Sequence, residues 1–200
     1  MGILRDFKSI EEFCNTHGIT FEIKEDNTGI RVDICTNFLV KGLATIGEIP
    51  FPLGIVHGDF MADGVGLHST KNFPLFVGGI FSVADNFLYE TENLPECGTN
   101  GLNGEISVAN NRIKNFIGFP RTIHGDLIVC DNCLNSFEGF PEKIDGRLFL
   151  ENNWELKNNK TIGLLLSCEI AGSIYMNRGQ FNKLDLEMIK KKFNVVETGE

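Results

Sequence analysis

Apolar residues recur along this chain in pairs that flank a single position, and most of these pairs precede an asparagine at a fixed distance. Residues 73–86, 119–132 and 140–153 share the pattern F-P-x-x-h-x-G-x-h-x-h-x-[DN]-N, in which h is apolar, and the second and third copies begin 21 residues apart. Because side chains alternate along a strand, each pair predicts a short strand whose first and third side chains point inward. With weaker copies included, the pattern predicts seven such strands, which begin at Val32, Phe60, Phe81, Ile106, Leu127, Leu148 and Ile174.

The asparagine of each copy is predicted to bond the backbone of the adjoining turn, where no regular ladder of strand hydrogen bonds would satisfy it. Val65 and Gly179 stand at this position in the copies that begin at 60 and 174. The other copies predict a structural turn ladder that consists of Asn37, Asn86, Asn111, Asn132 and Asn153.

The run from Leu127 to Leu134 resembles the L-x-L-x-x-N-x-L pattern of the leucine-rich-repeat family, and the resemblance extends over roughly residues 30 to 184. It implies a mainly β, leucine-rich-repeat-like solenoid of about seven coils, each of about 21–28 residues, whose neighbours bury one another's apolar edges. The back of each coil is too short for a helix. We therefore expect short irregular or extended backs.

Both ends of the chain carry helical patterns, as the exposed ends of a repeat array require. Ser9 to His17 predicts a helix that Ser9 caps and Gly18 ends, and Leu184 to Phe193 predicts a closing helix, with a loose tail at 197–200. The expected organisation is an N-terminal helical cap at 1–29, the solenoid at 30–182, and a C-terminal helical cap with its tail at 183–200.

The chain is acidic, with 27 Asp and Glu against 18 Lys and Arg and a net charge of −9. This balance disfavours direct nucleic-acid binding and favours a basic protein partner, or imitation of a nucleic acid. The N-terminus turns polar too early for a signal peptide, and no apolar run reaches the about 20 residues of a membrane helix. We therefore expect a cytoplasmic protein without membrane contact.

No motif in the sequence predicts catalysis, a cofactor or a metal. Cys130 and Cys133 form a C-x-x-C, but a zinc site would require a second pair, and a redox motif would require a helix that begins at Cys130. We expect no catalytic residue, no cofactor and no metal ligand. The alternative is an enzyme whose active site lies in a loop around the insertion at residues 97 to 104.

The repeat also predicts which side chains face outward on the strands. The central outward column is predicted to contain Asp33, Met61, Ser82, Ser107, Ile128, Phe149 and Tyr175. The column before it is predicted to contain Arg31, Asp59, Ile80, Glu105, Asp126, Arg147 and Ser173. The column after the apolar pair is predicted to contain Cys35, Asp63, Ala84, Ala109, Cys130, Glu151 and Asn177.

These columns predict an exposed apolar strip of Ile128, Phe149 and Tyr175, which would mark a protein interface. An acidic rim would surround the strip and steer a basic partner, with Arg147 on the same face; the rim consists of Asp59, Asp63, Glu105, Asp126 and Glu151. The alternative is that the C-terminal segment covers the strip.

Two binding functions follow from this face. The first is a protein binder. Small acidic chains with this repeat are similar to leucine-rich-repeat-like proteins carried by tailed bacteriophages, and that resemblance implies an inhibitor of a host defence or nucleic-acid-processing protein in the host cytoplasm. The second is a DNA mimic that occupies a nucleic-acid groove, although Ser82, Ala84, Ser107 and Ala109 would interrupt its carboxylates.

Overall fold

A computed structural model describes residues 6–26, 29–39, 46–92, 94–98 and 104–199. Within these ranges three α-helices, one 3-10 helix at Trp154–Asn158 and sixteen strands occur. The helices are α1 (Phe7–Thr16), α2 (Ile162–Ser167) and α3 (Lys183–Lys192). The strands are β1 (Phe21–Asp26), β2 (Gly29–Ile34), β3 (Phe38–Leu39), β4 (Leu53–Val56), β5 (Phe60–Met61), β6 (Phe76–Val77), β7 (Phe81–Ser82), β8 (Glu96–Cys97), β9 (Ile106–Ser107), β10 (Thr122–Ile123), β11 (Leu127–Ile128), β12 (Lys143–Ile144), β13 (Leu148–Phe149), β14 (Glu169–Ile170), β15 (Ile174–Asn177) and β16 (Val195–Thr198).

The chain has an α/β fold with mostly parallel sheets, so the predicted mainly β leucine-rich-repeat-like solenoid of about seven coils is wrong. An eight-stranded sheet runs in the order β16-β15-β13-β11-β9-β7-β5-β3, and the other sheets have the orders β1-β2-β4-β6-β8 and β10-β12-β14. The segments expected to be irregular backs hold the strands of these two smaller sheets. One of them also holds α2, which lies between β13 and β14.

The strands of the eight-stranded sheet are parallel and in register from β3 to β16. Leu127 lies opposite Ile106 on one side and Leu148 on the other, and Ile128 lies opposite Ser107 and Phe149. The first residue of each of these three strands is fully buried, while Ile128 and Phe149 are only partly covered. The predicted phase of the apolar pairs is therefore confirmed along this part of the sheet.

The predicted start of the series at Val32 is wrong. Val32 and Ile34 belong to β2, which pairs antiparallel with β1 and parallel with β4 in the five-stranded sheet. The end position of the eight-stranded sheet belongs to β3, where Phe38 lies opposite Phe60. An apolar pair around one polar residue suits either sheet, and pairing with distant strands determined which one β2 joined.

Helices lie close to both predicted positions, with different boundaries. The cap of α1 is Asp6, whose Oδ1 accepts the backbone N–H of Ser9 at 2.9 Å, so Ser9 is inside the helix and does not cap it. Asn182 caps α3 in the same way through the N–H of Asp185. The predicted loose tail is wrong in part, because residues 195–198 form β16 against β15.

The apolar core is one continuous cluster that the inward side chains of the parallel strands share. Phe38, Phe60 and Phe81 stack in sequence across β3, β5 and β7, with ring centroids 5.2 Å apart at both steps. The eight-stranded sheet thus packs against a row of closely stacked rings on its inner side.

In the described ranges, no helix is long and apolar enough to cross a membrane.

Candidate interaction face

The central outward column of the eight-stranded sheet brings together most of the residues that the sequence placed there. In register, this column contains Leu39, Met61, Ser82, Ser107, Ile128, Phe149, Tyr175 and Val196. Asp33 was predicted to begin it but lies in β2, where it is 5% exposed and pairs with Lys24. Arg31 and Cys35 belong with Asp33 to the five-stranded side and not to the flanking columns.

The apolar strip of Ile128, Phe149 and Tyr175 lies on three neighbouring strands, and each side chain is partly exposed. The rings of Phe149 and Tyr175 are stacked, with centroids 4.6 Å apart and an angle of 13° between their planes. The guanidinium of Arg147 lies over the Phe149 ring at 5.1 Å. The C-terminal strand β16 lies beside Tyr175 in the sheet, where Val196 continues the column.

Asp126, one of the predicted rim residues, forms an ion pair with Arg147. Both residues lie in the column that precedes the apolar pairs, immediately before the neighbouring strands β11 and β13. Oδ2 of Asp126 accepts from Nε of Arg147 at 3.0 Å and from Nη2 at 2.5 Å, and its Oδ1 accepts the backbone N–H of Arg147 at 2.6 Å. Burial opposes ionisation of this carboxyl, but the hydrogen bonds from Arg147 outweigh burial and lower its pKa. The negative charge of Asp126 is therefore offset by the neighbouring Arg147.

Glu105 lies next to Asp126 in this column and is in a different environment. Burial is the main cause that raises the pKa of its carboxyl, and the negative charge of Asp126 raises it further, while Arg147 opposes the shift. A cationic partner stabilises a carboxylate that burial has partly dehydrated by more free energy than it stabilises a fully hydrated carboxylate.

The remaining rim residues are also tied to the sheet. Asp59 accepts the N–H of Ile80 at 2.9 Å, and Asp63 accepts both the hydroxyl of Ser82 at 2.6 Å and the N–H of Ala84 at 2.8 Å. Glu151 accepts from the Thr198 hydroxyl at 3.5 Å through Oε1. Its Oε2 is buried without a hydrogen-bond partner among the described residues. The rim is acidic, but several of its oxygens serve the backbone of the next strand.

The asparagine ladder forms as predicted for four of its five members. Asn132 is typical: its Oδ1 accepts the N–H of Ile113 at 3.0 Å, and its Nδ2 donates to the carbonyl oxygens of Val108, Val129 and Cys130. Corresponding bonds are made by Asn86, Asn111 and Asn153. All four side chains are buried, so each amide satisfies backbone groups that water cannot reach.

The fifth predicted member, Asn37, is not part of this ladder. It lies one residue before β3, in the same column as Asp59, and its Oδ1 accepts the N–H of Asp59 at 2.8 Å. The sequence pattern missed Gln180, which is fully buried, donates from Nε2 to the carbonyl of Leu150 at 2.8 Å and accepts the N–H of Asn177. The sequence Gly179-Gln180 could have indicated this residue. Gln180 lies one residue after the asparagine position, and its longer side chain can still bond the backbone that the asparagine of the other copies bonds.

The residue before each ladder amide explains the [DN]-N pattern. Asp85, Asn110, Asp131 and Asn152 all have φ between 50° and 59°, in the left-handed region that Asn and Asp tolerate better than other side chains. Gly179 takes that conformation before Gln180, with φ of 74°. The pattern therefore combines one residue that turns the chain with one that bonds the turn.

Residues that could carry chemistry are dispersed in the described ranges. Cys130 follows β11, where burial and then Asp131 raise the pKa of its thiol to about 11, whereas Cys133 is exposed in the turn. Among the described residues, no group of three or more His, Cys, Asp and Glu side chains could hold a metal. The insertion considered as an enzyme site lies mostly outside the described residues, at 99–103.

Comparisons with protein-family models, with curated proteins and with solved structures find no match to this chain. The resemblance to leucine-rich-repeat-like proteins therefore depends on the residue pattern alone. The apolar strip, Arg147 and the acidic rim lie together on the outer face of the eight-stranded sheet.

Proposed function

We propose that this chain is a non-enzymatic protein that binds another protein through the outer face of its eight-stranded sheet. The observation that carries the proposal is the stacked pair of Phe149 and Tyr175, which is continuous with Ile128 and held by in-register parallel strands. Aromatic side chains on a rigid support lose little conformational freedom on binding and are the usual anchors of interfaces.

The surroundings of the apolar strip favour a partner with a basic surface. Arg147 is already paired with Asp126, whereas Glu105 and the exposed Asp63 contribute negative charge on the same side of the sheet. The net charge of −9 would attract such a partner over distances longer than any single contact. The resemblance to proteins of tailed bacteriophages supports a bacterial host protein in the host cytoplasm as the partner, and it names no target.

The test is affinity capture from a bacterial lysate, with stoichiometry as the readout. Wild-type chain is compared with the double variant Phe149→Ala, Tyr175→Ala, and with Trp154→Ala as a matched control. Trp154 is 51% exposed and lies outside the central column, in the 3-10 helix. We expect a stoichiometric partner that the wild type and Trp154→Ala retain and the double variant loses. Loss of an anchor typically costs about 2 kcal/mol or more, a fall in affinity of about thirtyfold.

A charge reversal separates this proposal from DNA mimicry. Glu105→Lys reverses a charge of the rim and leaves the pair of Asp126 and Arg147 in place. It would act mainly on the association rate of a protein binder, and its effect would fade as salt rises. A DNA mimic would show the opposite order, with the charge reversal dominant and the aromatic substitutions nearly silent. If the double variant captures the same partner with unchanged affinity, the sheet face is not the binding site.

A further inference from the structure

Among the described residues, the strand β16 is the last of the eight-stranded sheet, and no described strand pairs with the row of backbone groups on its outer side. The carbonyl oxygens of Asn194 and Thr198 accept from Ile174 and Arg178, so residues 194, 196 and 198 turn their backbone toward β15. Because residues alternate along a strand, the N–H and C=O groups of Val195 and Glu197 point away from the sheet. These four groups form an open edge.

This edge has few of the features that usually prevent strands from pairing. Charged side chains, lysine and proline commonly protect edge strands, and β16 reads Val-Val-Glu-Thr. Its one charged side chain, Glu197, pairs with Nζ of Lys190 on α3 at 2.5 Å and so is held against the helix. All four residues are partly buried, and three of them are β-branched types that favour strands.

The outward column runs to this edge without interruption. Phe149, Tyr175 and Val196 lie opposite one another on β13, β15 and β16. Val196 is therefore the last residue of the column and stands partly exposed on the final strand. An additional strand on β16 would cover the flank of Val196 that the sheet itself leaves open.

We propose that β16 pairs antiparallel with β16 of a second copy of this chain, around a twofold axis at Val196. In this register Val195 of each copy lies opposite Glu197 of the other, and the outward N–H and C=O groups of both residues bond across the axis. The two Val196 side chains then form a non-hydrogen-bonded pair, the closer of the two antiparallel arrangements. The result is a sixteen-stranded sheet with one continuous outward column.

A second copy fits this edge because the edge is complementary to itself. Residues 195 and 197 are symmetric about 196, so a twofold axis brings each outward donor to an outward acceptor, as an isologous interface requires. The pairing also joins the exposed column of one copy to that of the other at Val196. The inference goes beyond the proposed function, because it concerns the sheet edge and needs no host protein.

The test uses the full chain in sedimentation equilibrium over a range of concentrations. Glu197→Pro removes one outward N–H, and proline is tolerated on an edge strand when its nitrogen faces away from the sheet. Glu197→Gln is the matched control, because it also loses the ion pair with Lys190 and keeps the N–H. We expect a concentration-dependent dimer for the wild type and Glu197→Gln, and a monomer for Glu197→Pro with a nearly unchanged melting temperature.

Disulfide trapping checks the register and remains informative if the proline variant unfolds. In a Cys133→Ser background, which removes the exposed thiol, Val196→Cys should form a covalent dimer on mild oxidation, because the Cα separation of such a pair is within disulfide range. Thr198→Cys, two residues away on the same face, should crosslink far more slowly. A monomeric wild type at every concentration, or equal crosslinking of the two cysteine variants, would overturn the proposal.

Discussion

The side chains of Phe149 and Tyr175 form a cross-strand pair on the outer face of the eight-stranded sheet, stacked 4.6 Å apart on directly opposed residues of β13 and β15. Both rings lie on the side of the sheet away from the apolar core, whose members on the same strands are Leu148, Ile174 and Met176. The pair therefore stabilises the surface of the sheet more than its interior.

Truncation of either ring should have a small effect on folding. The interaction between the two rings is measured as the coupling energy of a double-mutant cycle that combines Phe149→Ala and Tyr175→Ala. We expect this coupling energy to be about 0.5–1.5 kcal/mol, the usual range for an aromatic pair. Chemical denaturation of the wild type, both single variants and the double variant measures it. Leu148→Ala is the contrast, because truncating a fully buried leucine should cost about 2–5 kcal/mol. Equal losses at 148 and 149 would show that the Phe149 ring belongs to the core.

Asn132→Ala should destabilise the fold by about 1–3 kcal/mol, because it leaves the N–H of Ile113 and three carbonyl oxygens without their buried partner. Asn135→Ala is the matched control, since Asn135 is exposed three residues further on. Thermal and urea denaturation give the comparison. If the two variants melt together, the ladder amide contributes nothing measurable to stability.

Gly146→Ala should also be destabilising, for a steric reason. A Cβ at this position would lie 2.5 Å from the carbonyl oxygen of Gly125 and 2.4 Å from Oδ1 of Asp126. We expect a loss of about 1–3 kcal/mol, the usual cost of forced overpacking. Gly163→Ala in α2 meets nothing within 4 Å and should be neutral or stabilising by up to about 1 kcal/mol. A neutral Gly146→Ala would mean that neighbouring strands can separate at this glycine.

The raised pKa of Glu105 predicts a pH-dependent effect of its substitution. Because the folded-state pKa is above the ordinary value of 4.5, the folded chain binds this proton more tightly than the unfolded chain does. The stability from the protonated form is present below the ordinary pKa and is lost as pH rises through the folded-state pKa. Glu105→Gln should therefore melt higher than the wild type at neutral pH, and the difference should vanish below about pH 4.

The exposed Glu138→Gln is the control for this measurement. Melting temperatures of both variants and the wild type, recorded at several pH values, give the difference directly. A Glu105→Gln variant that is less stable than the wild type at neutral pH would show that the carboxylate has a stabilising partner on the face, and the sign of the prediction would then be wrong.

Much of the interaction face could be predicted from the sequence. The phase of the apolar pairs placed Ser82, Ser107, Ile128, Phe149 and Tyr175 in one column, and the structure has them in register. Side-chain alternation within each apolar pair, together with the repeated pattern that aligns the copies, is sufficient for this. The same reasoning failed at Asp33, where the two residues on either side are apolar but the strand pairs with β1 and β4 instead.

The state of the charges on that face could not be predicted in the same way. The sequence placed Asp126 and Glu105 on one rim as equivalent carboxylates. In the folded chain Arg147 lowers the pKa of Asp126, while burial raises the pKa of Glu105. Such differences depend on distances of a few ångströms between residues about twenty positions apart, which a column of residue types does not contain.

The sequence by itself determined the local features that repeat: the alternation of the short strands, the left-handed residue before each ladder amide, and the two helices near the ends. These depend on a few consecutive residues and their own conformational preferences. Only the tertiary structure decided that β2 and β3 belong to different sheets, that the connecting segments form sheets of their own in an α/β fold, and that Gln180 completes the ladder. Those outcomes depend on which distant strand offers unpaired backbone groups and apolar surface at each position, and the same short pattern fits more than one such neighbour.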